Sequence, residues 1–356
     1  ISFLAHPVVD VVRDTAGVRL IDAAEVPWAG RESMIHIEVA LIASEAERQD
    51  LKAGLVDILC HIVLATGDWQ EMTARLHSAT TQLEGLTSFL PEAAVGEAAE
   101  VLKWRAGDHF LLLGARDYVI DGDAETGRLV ARKGSSLGVL KDPEVMVLRR
   151  QSETSEGLTP FVRDFLNQPA PIVIAKSNTR SHVHRRAYMD YIGVKTYSDD
   201  GVLTGEWRFI GLFTSSAYNR SASAIPYVRR KVQLALNKTG FAADRHDAKA
   251  FLNVIETFPR DELFQIDTDQ LAKTCVGIMR LMERPRSKVF IRHDPFDRFV
   301  SALVYFPRDH FSTELRRKVG HELASAFNGR SSAFYTQMGD STLARVHYLI
   351  GRTPGA

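Results

Sequence analysis

Nowhere in this sequence does an apolar run approach the ~18 to 20 residues that a membrane-spanning helix requires. The first residues also lack the basic flank and small-residue cleavage site of a secretory signal. A soluble, cytoplasmic protein is the expectation, with no membrane partner. Net charge is missing as well: 44 Lys and Arg residues balance 44 Asp and Glu residues. A neutral chain without a basic stripe offers no global attraction to nucleic acid or to an anionic surface. Cysteine is scarce, with only Cys60 and Cys275. They lie far apart, each inside a helical apolar pattern, which suits core positions in a reducing compartment better than a disulfide or a metal site.

The signatures of cofactor chemistry are also lacking. A dinucleotide site needs a strand, then G-x-G-x-x-G, then a helix, because the glycines let the pyrophosphate approach the helix N-terminus. The nearest candidate, Gly134 to Gly138 in GSSLG, has the wrong spacing and reads as a turn between strands. There is no P-loop, no H-E-x-x-H and no paired-Cys motif. His293 and Asp294 adjoin, as do Asp309 and His310, but sequential neighbours on a strand point apart and no Ser or Cys nucleophile motif lies near. Both read as strand-end turns. No catalytic residue, cofactor-binding residue or metal ligand is therefore assigned.

What is present is a long alternation of strand and helix patterns, enough for two or three domains. Residues 1 to about 80 read as strand (Ala5 to Arg13), strand (Ser33 to Ile42) and one long helix (Glu45 to His77), with Leu51, Leu55, Leu59, Ile62 and Val63 on a face expected to pack on the strands. This resembles the back half of a βαββαβ unit. Together with an apolar opening at Ile1 that has no earlier element to pack on it, that makes the chain read as a cut piece. A short helix at Pro91 to Lys103 precedes strands at His109 to Ile120, Leu129 to Lys133, Ile172 to Lys176, Tyr191 to Tyr197 and Trp207 to Tyr218, divided by Gly- and Asp-rich turns. A short helix, TPFVRDFLN, interrupts them at 159 to 167, and a helical stretch runs from Ile225 to Thr257. From Leu263 the pattern is cleanest: strand LFQID, helix Thr268 to Met282, strands SKVFIRH and RFVSALVYF, helix Thr313 to Phe327 stopped by Asn328 and Gly329, strand AFYTQM and an extra strand ARVHYLI. That order is βαββαβ, the ferredoxin-like arrangement. The fold class expected is α+β, with ferredoxin-like units flanking a mostly antiparallel sheet domain.

Two stretches concentrate polar chemistry. In residues 176 to 191, Lys176, Arg180, Arg185 and Arg186 supply cationic donors, with Asn178 and its neighbours Ser177 and Thr179 as neutral ones. This set suits recognition of an anion or carboxylate. His182 and His184 would share one face of an extended segment, as a metal pair needs, but no third ligand is evident. A plain strand-to-strand connection whose polar groups cap backbone and pair with Asp190 accounts for the same residues. The second stretch runs from Glu256 to Phe264, where Arg260, Asp261 and Glu262 fit an ion-paired hinge, a subunit contact or a simple linker.

Several runs together resemble the N-terminal region of the large bacterial NAD-specific glutamate dehydrogenases: KSNTRSHVHRRAYMDYIGVK (176–195), RFIGLFTSSAYNRS (208–221), IPYVRRKV (225–232), ETFPRDELFQI (256–266), RHDPFDRFVSALVYFPRDHFSTELR (292–316) and ARVHYLI (344–350). The resemblance implies an ACT-like remainder at 1–80, a PAS-like antiparallel sheet domain at 90–222, a helical linker at 223–260 and an ACT-like ferredoxin-fold domain at 261–356. It further implies a homo-oligomer whose NAD-dependent catalytic domain lies downstream, so that this region is non-catalytic and holds no cofactor. ACT-like domains commonly bind amino acids, so an amino-acid effector is one implied partner, with Lys176, Asn178, Arg180, His182, His184 and Arg185 as candidate contacts. The other implied role is purely architectural, with subunit assembly and no small ligand.

Overall fold

The computed structural model describes residues 1–14, 17–20, 30–122, 128–145, 147, 170–242, 245–294, 296, 298–339 and 341–352. The helix expected at 159–167 lies outside the described residues. The architecture is α+β, and every strand pairing in it is antiparallel. The chain divides into two compact units, 1–60 and 61–356.

The first unit contains β1 (Phe3–Ala5), β2 (Val8–Asp14), β3 (Gly17–Leu20), β4 (Gly30–Ser33) and β5 (His36–Glu38). β1 pairs with β5, and β2 is flanked by β3 and β4. Helix α1 (Glu45–Gly67) follows. It does not bury the face expected of it: Leu51, Leu55 and Leu59 are exposed, and so are Val56, Ile58, Ile62 and Val63. At 100° per residue these side chains fall within about half of the helix circumference, so a face exists, but nothing among the described residues covers it. Cys60 is exposed too, against the core position expected of it, whereas Cys275 is buried. The single helix expected to run to His77 is in fact two, because Asp68 leaves the helical path. Its carboxylate accepts the Gly138 N–H at 2.7 Å and pairs with Lys141.

In the second unit, α2 (Trp69–Glu84) buries Met72, Leu76, Ala79 and Leu83, and α3 (Glu92–Trp104) buries Val95, Ala98, Ala99, Val101 and Leu102. Both pack on a six-stranded sheet made from β6 (Phe110–Asp121), β7 (Arg128–Ala131), β8 (Leu137–Gly138), β9 (Ile172–Arg180), β10 (Tyr188–Tyr197) and β11 (Leu203–Phe213), ordered β7-β6-β11-β10-β9 with β8 on β6. Period-2 alternation sorts the sides: Ile192 and Val194 face the helices, while Met189 and Tyr191 face a second core. The strand expected to reach Tyr218 stops at Phe213, and Ser215–Asn219 form a short helix, α4. Gly134 and Gly138 are the expected turn glycines, both at positive φ. A Cβ on Gly138 would lie 2.1 Å from the Leu113 carbonyl oxygen, so only glycine fits there.

The helical stretch after the sheet is α5 (Val228–Thr239) and α6 (His246–Thr257), divided after Gly240 at φ 73°. Next come α7 (Arg260–Gln265) and α8 (Thr268–Glu283), the latter capped by the Asp267 carboxylate accepting the Gln270 N–H at 2.8 Å. The strand expected at LFQID is thus a correction, because these residues are the end of α7 and the turn into α8. Pro259 sets the first turn of α7, and Leu263 and Phe264, adjacent in sequence, are both buried, which a one-sided strand would not do. The last sheet runs β12-β13-β15-β14, built from β12 (Lys288–His293), β13 (Phe299–Pro307), β14 (Gly329–Gln337) and β15 (Leu343–Arg352), with α9 (Thr313–Ala326) between β13 and β14. Val300, Ala302, Val304 and Phe306 face α9, whereas Leu303 and Tyr305 share a core with Leu271, Cys275 and Ile278 of α8. The order is therefore αββαββ, with the strand first read as an extra one seated inside the sheet, between β13 and β14.

Candidate functional site

Antiparallel register sets Lys176 of β9 directly opposite Asp190 of β10. The Lys176 ammonium lies 2.6 Å from the Asp190 carboxylate and 3.1 Å from that of Asp261, in the first turn of α7. Tyr218 donates to the same Asp261 oxygen at 2.7 Å. One lysine thus ties the six-stranded sheet to the helical connection. Burial alone would lower Lys176, but Asp190 and Asp261 override it and hold the ammonium above the ordinary lysine range. Burial, with Asp261 nearby, pushes Asp190 up to about 6 even though Lys176 pulls the other way.

Lys176, Tyr218 and Asp261 sit on the wall of a cavity of about 860 Å³. Its opposite wall is the face of β14 and β15 that α9 leaves uncovered, including Arg345, His347 and Leu349. Arg298 joins the two sides. It pairs with Asp294 at 2.7 Å and donates to the Lys176 carbonyl oxygen. Just behind the cavity, Glu262 receives a two-pronged contact from Arg292 at 2.7 and 2.8 Å, with His347 at 3.6 Å. Burial would raise Glu262, but Arg292 and its hydrogen bonds hold the carboxyl well below the usual range.

Both polar stretches singled out in the sequence therefore meet here. Lys176, Asn178, Arg185, Arg260 and Asp261 line the cavity, and Glu262 supports it from behind. Arg180 lines a neighbouring cavity of about 450 Å³, stacks on Tyr188 and donates to the Ser332 carbonyl oxygen at 3.2 Å. The two histidines are not brought in. The 181–187 segment bends instead of extending, His184 adopts φ 68°, and His182 lies against the ring of His61. The alternation that would have aligned them does not apply. His61 in turn contacts Asp142 at 2.8 Å. His293 and Asp294 do end a strand, and residues 308–310 form a short turn after one.

The sequence reading missed Arg298, Arg330 and Arg345, whose signal was only the basic spacing of apolar strands, and it missed Arg105. That guanidinium is 1% exposed, and none of its nitrogens has a hydrogen-bond partner among the described residues. It lies 4.7 Å from the Phe213 ring centroid and 5.1 Å from that of Phe110. Burial lowers it to about 9, against the attraction of Asp190.

The profile of glutamate dehydrogenase helical motif 1 matches residues 225–284, and that of the glutamate dehydrogenase ACT2 domain matches residues 288–356. The fold after the six-stranded sheet is thus of the glutamate dehydrogenase class. The chain is 36% identical over 321 residues to the NAD-specific glutamate dehydrogenase of Halomonas elongata, covering 90% of this chain and 20% of that protein. It is 32% identical over 324 residues to that of Pseudomonas aeruginosa (91% and 20%) and 29% identical over 354 residues to that of Mycobacterium tuberculosis (97% and 20%). As a segment, the chain belongs to the NAD-specific glutamate dehydrogenase family. It spans about a fifth of the length of these relatives. Their name implies NAD; the described residues do not build the strand, glycine loop and helix that cradle a dinucleotide, since the pairings described are antiparallel and Gly138 serves a close strand contact.

Proposed function

We propose that this chain is a non-catalytic, regulatory segment of a cytoplasmic, homo-oligomeric NAD-dependent glutamate dehydrogenase. The whole enzyme would convert L-glutamate, NAD and water to 2-oxoglutarate, ammonia and NADH, with NAD bound elsewhere in the protein. The four-stranded sheet is read as ACT-like and the six-stranded sheet as PAS-like. The cavity between them is read as the site of an amino-acid effector. The observation that supports this reading most is the Lys176 to Asp261 contact. It sits on the cavity wall and links one sheet to the helices leading to the other, so a ligand that disturbed it would act on both.

Thermal unfolding of the chain across a panel of amino acids, 2-oxoglutarate, NAD and nucleotides, with oligomeric state recorded alongside, tests this directly. A ligand that binds only the folded state must raise the midpoint. A shift with one amino acid, lost in Lys176→Met and Arg185→Ala, is the expected result. A flat panel with a stable oligomer favours the second reading, a purely architectural role. That alternative draws support from the exposed apolar side chains of α1 and from Phe334 and Tyr335, exposed on the sheet-edge strand β14.

A further inference from the structure

Among the described residues, seven Lys and Arg residues line the cavity against one acidic residue, Asp261. Three of the seven are already matched by carboxylates: Lys176 by Asp190 and Asp261, Arg260 by Glu256, and Arg298 by Asp294. Arg352 aside, the other three, Arg185, Arg330 and Arg345, meet no carboxylate among the described residues. Arg185 donates to the Phe213 carbonyl oxygen and lies over the Tyr218 ring, and Arg345 donates to the Thr257 carbonyl oxygen and the Gln337 amide. The guanidinium of Arg330 has no hydrogen-bond or ion-pair partner described. A guanidinium is well matched by a carboxylate or phosphate oxygen pair, and gathering several unmatched ones in a concave site is unfavourable unless an anion enters.

Their placement is not one cluster. Arg330 pairs across the sheet with Gly351 and Arg345 with Gln337, six residues apart along β15. At the strand rise this is roughly 20 Å between backbone positions, shortened by two long side chains that both line the cavity. Arg298 lies at the first end, where its carbonyl oxygen accepts the Arg352 N–H, and Thr257 closes the second. Between them lie His347, Leu349 and Tyr335. We infer that the cavity takes an elongated small molecule with an anionic group at each end, a dicarboxylate or a bisphosphate, spanning from Arg330 to Arg345. This rests on the effector reading above and narrows its ligand class.

The test is binding to the whole chain, by calorimetry and thermal shift, of linear dicarboxylates from succinate to sebacate. Fructose 1,6-bisphosphate serves as the phosphate arm, and hexanoate, alanine and lysine as controls. The expected result is affinity that rises with chain length to an optimum, with Arg330→Gln and Arg345→Gln each weakening the best dianion by about tenfold or more while hexanoate is unaffected. Which arm binds more tightly separates carboxylate from phosphate sources. Arg330 is exposed, so its variant is expected to fold and to keep the unliganded midpoint. Alanine or hexanoate binding as well as any dianion, or dianion binding indifferent to both variants, overturns the proposal but leaves an effector site standing. A chain that binds nothing in the panel, amino acids included, overturns both.

Discussion

The two large sheets of residues 61–356 differ in what they bury. In the four-stranded sheet, β13 sends apolar Val300, Ala302, Val304 and Phe306 one way and Leu303 and Tyr305 the other, and the buried charge on its strands is confined to Arg292 and His347 around Glu262. The six-stranded sheet buries charge at inward positions: Lys195, Glu206 and Arg208 on β10 and β11, with Tyr191 donating to Glu206 and Arg208 3.7 Å from the Tyr118 ring centroid. The same contrast holds for two buried carboxylates. Glu262, gripped by both prongs of Arg292 against the four-stranded sheet, is held low, whereas Asp190 shares one lysine with Asp261 in the six-stranded sheet and is pushed up. Burial raises a carboxylate in both places, and the geometry of the cation decides whether the charge wins.

That contrast can be broken at its strongest point. Glu262→Ala leaves Arg292 buried without its partner and should cost roughly 3–5 kcal/mol in urea or thermal unfolding. Because the folded Glu262 is depressed below its ordinary value, its contribution is present above about pH 4.5 and is lost as pH falls. In the apolar counterpart, Leu303→Ala on β13 should cost about 2–5 kcal/mol by opening a cavity, with little pH dependence.

Asp190→Asn should have a smaller effect of opposite pH sign. The folded Asp190 is raised from 3.8 to about 6, so its contribution is complete at low pH and lost as pH rises through that value. The variant's stability curve between about pH 4 and 7 should therefore be flatter than the wild type's on the alkaline side, as denaturant midpoints at each pH would show. A steeper curve would mean that Asp190 is not the group that titrates. The smallest effect tests a local element: Ser312, whose hydroxyl accepts the Leu315 N–H at 3.0 Å, caps α9, and Ser312→Ala should cost about 0.5–2 kcal/mol.

Much of this was legible beforehand for a physical reason. α9 and the strands of the last sheet could be read because period-3.6 and period-2 patterns dominate where both faces are apolar, and Asn328 at φ 45° ends the helix region as its residue type suggests. LFQID misled because a five-residue apolar run fits a strand and a helix equally, and Pro259 with the buried neighbours Leu263 and Phe264 settles it only once packing is known. The face assigned to α1 failed because apolar residues on a helix do not say whether anything covers them.

The sequence by itself determined the α+β class, most of the strands, the family and the two polar stretches around Lys176 and Asp261. Only the tertiary structure decided that those stretches face each other across one cavity, that Arg298, Arg330 and Arg345 complete its walls, and that His182 and His184 stand outside it. Local pattern reports which face a side chain takes. Which remote segment meets that face depends on strand order and register, and these are set by pairing energies summed over residues far apart in the chain.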